Sequence, residues 1–401
     1  MSFNVRLETL QQYPFERLRA LTAAVAPAPN LRHIPLSLGE PKHAPPDFVI
    51  HALSDSDTLT QALSTYPVTI GSEDLRRQIS QWITRRFDVH VDVEREVLPV
   101  NGTREALFSI AQALLSGKPE SLVMLPNPFY QIYEGAALLA GAKPYFVNND
   151  PEAGYQQDFD SIPQEVWEKT ELIYLCSPGN PTGHIMPQAQ LQSLIELAHQ
   201  YDFYIVSDEC YSELYFDQDS PPQSLLNASA DMSNSDYSRC LVFHSLSKRS
   251  NLPGLRSGFV AGDAKLLKSY RLYRTYHGCA LPPHHQIVSA LAWQDEAHVI
   301  VNRELYAEKF AAVSTILAPF YPLKQPAGGF YHWLEVPIDD QAFCQQLLAA
   351  QNVTVMPGSF LARDTEQGNP GTGHVRIAWV ATLEDCVEAA HRLATFAQSL
   401  A

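Results

Sequence analysis

Residues 240–262 read CLVFHSLSKRSNLPGLRSGFVAG. Two short apolar runs, CLVFH and GFVAG, flank a polar loop that carries Lys248 among serines and Arg256 eight positions further on. Short apolar runs bounded by polar or glycine-containing turns are the mark of strands buried on both faces. Working outward, SLVML (121–125), ELIYLC (171–176) and FYIVSD (203–208) repeat the pattern. Between these runs, TREALFSIAQALLS, QIYEGAALLA and QAQLQSLIELAHQ place apolar residues at helical spacing. Strand and helix alternating in this way predict crossover units and a largely parallel sheet covered by helices, an α/β fold.

After about residue 285 the pattern changes. NRELYAEKFAAVSTIL reads as a helix, GGFYHWLEV as a strand, AFCQQLLAA as a helix, HVRIAWV as a strand and LEDCVEAAHRLATFAQSL as a closing helix, which together make a smaller α+β unit. The expected boundaries are an N-terminal arm over 1–45 that joins the small domain, a large domain over 46–284 and a C-terminal small domain over 285–401. The Pro-rich segment from APAPN to GEPKHAPPDF reads as an arm crossing between the units.

Composition narrows the chemistry. A chain of 401 residues with 45% hydrophobic content can bury a full core. Its formal charge of -16 repels phosphate backbones and anionic membrane surfaces, which argues against nucleic acid and lipid as partners. Any anionic ligand therefore has to meet local positive charge. Six cysteines lie scattered without a C-x-x-C pair, the pattern of reduced thiols in a cytoplasmic protein and not of a disulfide framework or a zinc site. The first residues, MSFNVRLETLQQY, have no apolar core of a signal peptide, and no run of apolar residues is long enough for a membrane span.

In parallel sheets, ligands gather beyond the carboxyl ends of the strands, so the residues leaving each apolar run carry the chemistry. ELIYLC runs into SPGNPTG, where Pro and Gly break the strand and leave Asn180 and Thr182 at its exit. FYIVSD ends on Asp208, with Tyr211 three residues on, and LVFH is followed by Ser245, Ser247 and Lys248. Taken singly these are ordinary: NPTG is a turn sequence, a strand-end carboxylate often caps a helix, and a lysine among serines is usually solvated. Taken together they are chemically consistent. A buried amine loses its proton readily and condenses with an aldehyde, while a carboxylate in the same pocket holds a protonated ring nitrogen. Ser245 and Arg256, either side of Lys248, offer a hydroxyl and a fork of donors to a phosphate. In LPVNGTREALF the segment Gly102-Thr103-Arg104 opens a helix whose free backbone N–H groups suit the same phosphate.

With S-x-x-K, an arginine eight residues beyond the lysine, N-P-T-G, D-x-x-Y and a late R-I in that order, the sequence resembles the pyridoxal-phosphate aminotransferases of fold type I, class I/II, from about residue 30 to 395. That resemblance implies a large domain with a mostly parallel seven-stranded sheet covered by helices, a smaller α+β domain, and pyridoxal 5'-phosphate as cofactor, with no metal. It makes Lys248 the lysine bonded to the cofactor and its catalytic acid–base. Asp208 becomes the partner of the ring nitrogen, and Asn180 and Tyr211 the donors to the ring's phenolic oxygen. Ser245, Ser247, Arg256, Gly102, Thr103 and Arg104 would surround the phosphate, and Tyr130 in LPNPFYQIYEG would stack on the ring. Tyr66 in YPVTIGSEDLR resembles a tyrosine that reaches the phosphate of a neighbouring subunit, which implies a homodimer. Arg376 in GHVRIAWV would bind the substrate α-carboxylate, with the backbone of Gly39 in SLGEP closing over it. The partners implied are small amino acids and 2-oxo acids.

Longer stretches, LSLGEPKHAPP, SLSKRSNLPGLRSGFVAGD, YRTYHGCALPP and NVTVMPGSFLAR, resemble one branch, the N-succinyldiaminopimelate aminotransferases of bacterial lysine synthesis. Such a substrate has a distal carboxylate and calls for a second cation, with Arg104, Lys42 and Arg274 as candidates. Aspartate, kynurenine or aromatic aminotransferases and cystathionine-type C-S lyases are the competing readings. A non-catalytic regulator of the same fold would need an added DNA-binding domain, for which the first 30 residues leave no room, and an inactive relative would be expected to have lost Lys248.

Overall fold

The computed structural model describes residues 4–400. Eight strands form the main sheet, in the order Val97–Val100, Gly258–Gly262, Cys240–Ser245, Tyr204–Asp208, Thr170–Cys176, Leu122–Asn127, Lys143–Asp150 and Gln156–Gln157. The five strands from Cys240–Ser245 to Lys143–Asp150 are parallel, whereas Gly258–Gly262 runs antiparallel to both its neighbours and Gln156–Gln157 antiparallel to Lys143–Asp150. Successive strand residues go to opposite faces, and both faces are covered, so the runs read as continuously apolar. Met124, Ile173, Ile205, Val242 and Phe259 pack into a cluster with Trp82, Ile195 and Trp293. Their neighbours Val123, Leu172, Val206, Leu241 and Val260 pack on the other face with Leu107, Ile110, Ala136 and Tyr270.

The seven-stranded expectation falls short by the two-residue strand Gln156–Gln157. Its polar sequence gives no apolar run to read, and it lies at the edge of the sheet, where one side needs no burial. Val97–Val100 closes the opposite edge, a position that tolerates Pro99.

The second core is built by the helices Ala297–Leu317, Asp340–Gln351 and Leu383–Leu400 around the antiparallel strands Tyr331–Glu335, His374–Ala378 and Met356–Pro357. Phe310, Phe343, Leu347, Ile377 and Leu393 fill it. The N-terminal arm belongs here: Ile34–Pro35 pairs in parallel with Val353–Thr354, and Ile34 and Leu36 are buried in this cluster. The expected boundary at residue 285 needs correction. Helix Pro283–Gln294 buries Val288, Ala290, Ala292 and Trp293 in the first core, which moves the change of core to the turn before Ala297. Among the described residues, no helix is long and apolar enough to cross a membrane. All six cysteines are free, as the spacing predicts.

Candidate active site

The strand Tyr204–Asp208 delivers Asp208 to the carboxyl edge of the sheet, where it is almost fully buried. One carboxylate oxygen accepts from the Tyr133 hydroxyl at 2.7 Å and the other from the Cys210 backbone N–H at 3.2 Å. Burial raises the proton affinity of Asp208 above the ordinary carboxylate value, and these hydrogen bonds only partly offset it.

One strand away, Cys240–Ser245 passes into a single helical turn, Leu246–Arg249, capped by the Ser245 hydroxyl, which accepts from the Ser247 N–H at 3.1 Å. That turn presents Lys248, whose Nζ donates to the Gly39 carbonyl at 2.8 Å. Its Nζ also lies 5.8 Å from the centre of the Tyr211 ring and 5.2 Å from that of Phe330. Desolvation among these groups brings the amine's pKa down to about 8, with Arg376 and Arg256 adding to the shift. A lysine so placed reaches its nucleophilic, neutral form far more easily than one in water.

Arg256 has a left-handed backbone, φ 53, and donates to the Pro253 carbonyl at 2.9 Å. Its guanidinium lies against Gly102, the residue before helix Thr103–Leu114, and a Cβ at Gly102 would run into it. Gly102 has φ 89, so glycine is needed there on both counts. The glycine thus allows a guanidinium to lie beside the free N–H groups of a helix start, with Ser245 and Ser247 nearby, and that donor set suits a phosphate.

Arg376, on strand His374–Ala378, reaches in from the second core. It donates to Asn180 Oδ1 at 3.0 Å and to the Ser37 carbonyl at 2.8 Å, its Nε is buried without a partner among the described residues, and it packs 4.6 Å from the Tyr331 ring centre. Among the described residues it has no carboxylate within salt-bridge distance. A buried cation held by neutral oxygens is a receptor for an anion. Tyr211 shares a hydrogen bond of 3.0 Å with the Tyr331 hydroxyl.

These side chains enclose one cavity of ≈ 440 Å³, within the range of small-molecule sites. Asn180, Asp208, Tyr211, Ser245, Ser247, Lys248, Arg256 and Arg376 line it, as do Gly39, Thr103, Arg104 and Tyr130. A larger open groove of ≈ 890 Å³ along Pro144–Pro151 has no lysine, arginine, histidine or cysteine in its lining and lacks this chemistry. Tyr66 stands apart, 95% exposed on the surface. Two candidate second cations are corrected. Lys42 pairs with Glu40 on the surface and does not line the cavity. Arg274 is fully buried and donates to both oxygens of Glu105 at 2.9 and 2.7 Å, so its charge is already matched. Arg104 is exposed at the cavity, 5.4 Å from the Tyr13 ring centre, and forms no ion pair among the described residues.

Sequence reasoning missed Tyr13, Tyr133, Cys210 and Tyr331. Tyr133 lies three residues after Tyr130, in the first turn of helix Ile132–Ala140, and its ring packs edge to face on that of Tyr130 with centroids 5.7 Å apart.

A carboxylate beside a site for a ring, a lysine with a lowered pKa, a phosphate cradle and an unneutralised arginine define the pocket of a pyridoxal-phosphate-dependent enzyme, and the residues present fit that group. Residues 32–393 match aminotransferase class I and II, and the chain belongs to this family, whose members use pyridoxal phosphate. The fold is similar to that of an aminotransferase from Neisseria meningitidis Z2491, with a TM-score of 0.94 and 46% identity, covering 98% of this chain and 100% of that one. Aminotransferase AspB from Helicobacter pylori 26695 is similar with a TM-score of 0.89 and 34% identity, covering 99% and 100%. An LL-diaminopimelate aminotransferase of Nitratidesulfovibrio vulgaris (strain DP4) is 29% identical over 393 residues, 97% of each chain. The OxyQ transaminase of Streptomyces rimosus, named for 4-dedimethylamino-4-oxo-anhydrotetracycline, is 32% identical over 388 residues, 96% of this chain and 100% of that one. The chain is a pyridoxal-phosphate-dependent aminotransferase.

Proposed function

We propose that the enzyme moves the amino group of a donor with a distal carboxylate, N-succinyl-LL-2,6-diaminopimelate foremost, to 2-oxoglutarate, in the diaminopimelate route of bacterial lysine synthesis. The observation that carries this reading is the presence in one cavity of three guanidinium groups, Arg376, Arg256 and Arg104, none with a carboxylate partner among the described residues; with Arg256 assigned to the phosphate, Arg376 and Arg104 are left for two carboxylates. Arg376 grips the α-carboxylate and Arg104 the distal one. The relatives named LL-diaminopimelate aminotransferases support a donor of this length and also favour a second reading, the unsuccinylated LL-diaminopimelate.

When bound, pyridoxal phosphate supplies an electron sink for the charge left at Cα. The protein's part is to hold and protonate. Asp208 would keep the ring nitrogen protonated, Asn180 and Tyr211 would donate to the phenolic oxygen, Tyr130 would cover the ring, and Ser245, Ser247, Arg256, Thr103 and the Gly102 backbone would hold the phosphate. Lys248, with its lowered pKa, would act as the base that takes the proton from the substrate Cα and as the acid that gives it back, with Gly39 closing over the substrate.

Arg104→Ala is expected to lose about 1 kcal/mol or less of kcat/KM with donors that carry a distal carboxylate, the range for an exposed ion pair, and to change little with neutral donors. Steady-state rates across a donor panel that includes succinyldiaminopimelate and LL-diaminopimelate read this out. Equal losses with dicarboxylic and neutral donors would return Arg104 to a phosphate or helix role, and a preference for the unsuccinylated donor would select the second reading.

We also propose a homodimer whose two sites are shared. Tyr66 is 95% exposed beside exposed Leu63 and Val68, and Thr69 contacts Thr275 at 3.3 Å, next to exposed Tyr276 and Leu272. An apolar patch of this kind on a soluble enzyme marks an interface. Sedimentation is expected to give a dimer at assay concentrations, and Tyr66→Phe to weaken cofactor binding without dissociating it. A fully active monomer would contradict the shared site.

A further inference from the structure

Helix Ala297–Leu317 carries Asn302, Tyr306 and Lys309 on one face, at helical spacing, and all three are buried. Lys309 is a lysine with no carboxylate within salt-bridge distance among the described residues. Its Nζ lies 2.6 Å from Nε2 of His43, and the His43 ring packs on Tyr306 with centroids 4.5 Å apart. On its other side, His43 Nδ1 lies 2.8 Å from Asn302 Oδ1.

The orientation of the Asn302 amide is fixed by what surrounds it. Its Nδ2 donates to the carbonyls of Lys248 at 3.1 Å and Arg249 at 3.3 Å, and its Oδ1 also accepts from Asn251 Nδ2 at 2.7 Å. His43 must therefore donate through Nδ1, which leaves Nε2 as the acceptor for Lys309. Burial lowers the proton affinity of His43, in keeping with this neutral tautomer. The chain of donors thus runs in one direction, from Lys309 through His43 and Asn302 to the backbone of Lys248.

The carbonyls of Lys248 and Arg249 close the single turn Leu246–Arg249, where no further helical N–H follows to pair with them. Asn302 supplies those bonds from a helix of the second core. The loop that holds His43 also holds Gly39, whose carbonyl accepts from Lys248 Nζ. One segment of the N-terminal arm therefore touches Lys248 at its amine directly and at its backbone through Asn302.

We propose that His43 and Asn302 are positioning residues for Lys248, setting the place of its backbone and so the reach of its amine. The proposal rests on Lys248 being the acid–base lysine of the reading above and is independent of which donor is used. A purely structural network would be indifferent to which ring nitrogen is replaced; the positioning role depends on the Nδ1 donor. His43→Asn keeps a donor near Nδ1, whereas His43→Gln keeps a polar group near Nε2 and loses the donor to Asn302.

In the holoenzyme, His43→Gln and Asn302→Ala are expected to lower kcat by about 10-fold to 100-fold, the scale of a displaced catalytic group, with KM for the amino donor nearly unchanged, and His43→Asn to recover most of the loss. In the cofactor-stripped full chain, the rate at which trinitrobenzenesulfonate labels Lys248, followed by peptide mass spectrometry, is expected to change in His43→Gln and Asn302→Ala and to return toward wild type in His43→Asn. Equal behaviour of His43→Asn and His43→Gln in both measurements would overturn the proposal, as would normal kcat and labelling in a folded Asn302→Ala protein. Should Asn302→Ala fail to fold, the two His43 variants decide alone. Failure of the underlying reading has a separate signature, an active Lys248→Ala protein.

Discussion

Lys248→Ala is expected to abolish transamination, with a loss of about 10⁴-fold or more, the upper range for removing a positioned acid–base group. The visible absorbance of a lysine-bound cofactor should vanish with it. The protein itself should remain folded. Lys248 makes one side-chain hydrogen bond, to the Gly39 carbonyl, and no ion pair among the described residues. The sign of the electrostatic contribution supports this. With its pKa at about 8 in the folded chain, the amine binds its proton less readily than in the unfolded chain. The resulting penalty is absent at high pH, grows as pH falls through the ordinary lysine range, and is complete below about 8. At neutral pH the alanine variant loses that penalty along with one hydrogen bond, so the melting temperature of the cofactor-stripped protein should not fall steeply. Absorbance, turnover and thermal melts on the same preparation check all three statements, and substantial turnover in the alanine variant would end the assignment.

The strands that bear the site were legible because burial on both faces leaves them predominantly apolar, with only isolated polar residues such as Ser207 and His244 inside them. Asp208, Asn180 and Lys248 could be grouped for the same reason: each lies at or just beyond the carboxyl end of such a run, and the runs are neighbours in the sheet. Tyr331 and Ser37 could not, since they enter from the second core and the arm, brought in by long-range packing that no local pattern encodes. The misjudged cations show the limit in another form. Arg274 looks free in YRTYHG, but its neutralising partner, Glu105, is 169 residues away in the chain. For Lys42 the partner was only two residues off, in GEPK, and charge spacing alone could have demoted it. The domain boundary slipped because helix Pro283–Gln294 has an apolar pattern that suits either core, and only its packing on Trp82 and its neighbours decides between them.

Asp208→Ala is expected to bind cofactor yet lower kcat by about 10²- to 10³-fold, the cost of removing one preorganised electrostatic partner, because a ring nitrogen without a carboxylate is seldom protonated and accepts charge poorly. Its effect on stability separates this role from mere packing. Burial raises the proton affinity of Asp208, so its contribution to folding is fully present below the ordinary carboxylate pKa and is lost as pH rises through the raised value. At neutral pH in the cofactor-free chain, the ionised form has the hydrogen bonds from Tyr133 and Cys210 but, among the described residues, no cation in ion-pair contact. A protonated ring supplies that cation. Cofactor should therefore raise the melting temperature of the wild type more than that of Asp208→Ala, although the variant also leaves the Tyr133 hydroxyl without its acceptor, at about 1 to 3 kcal/mol in both states. That common cost cancels in the difference between loaded and stripped protein. Equal thermal shifts on adding pyridoxal phosphate, or undiminished kcat, would remove Asp208 from the ring nitrogen and leave it as a buried cap for Tyr133 and Cys210.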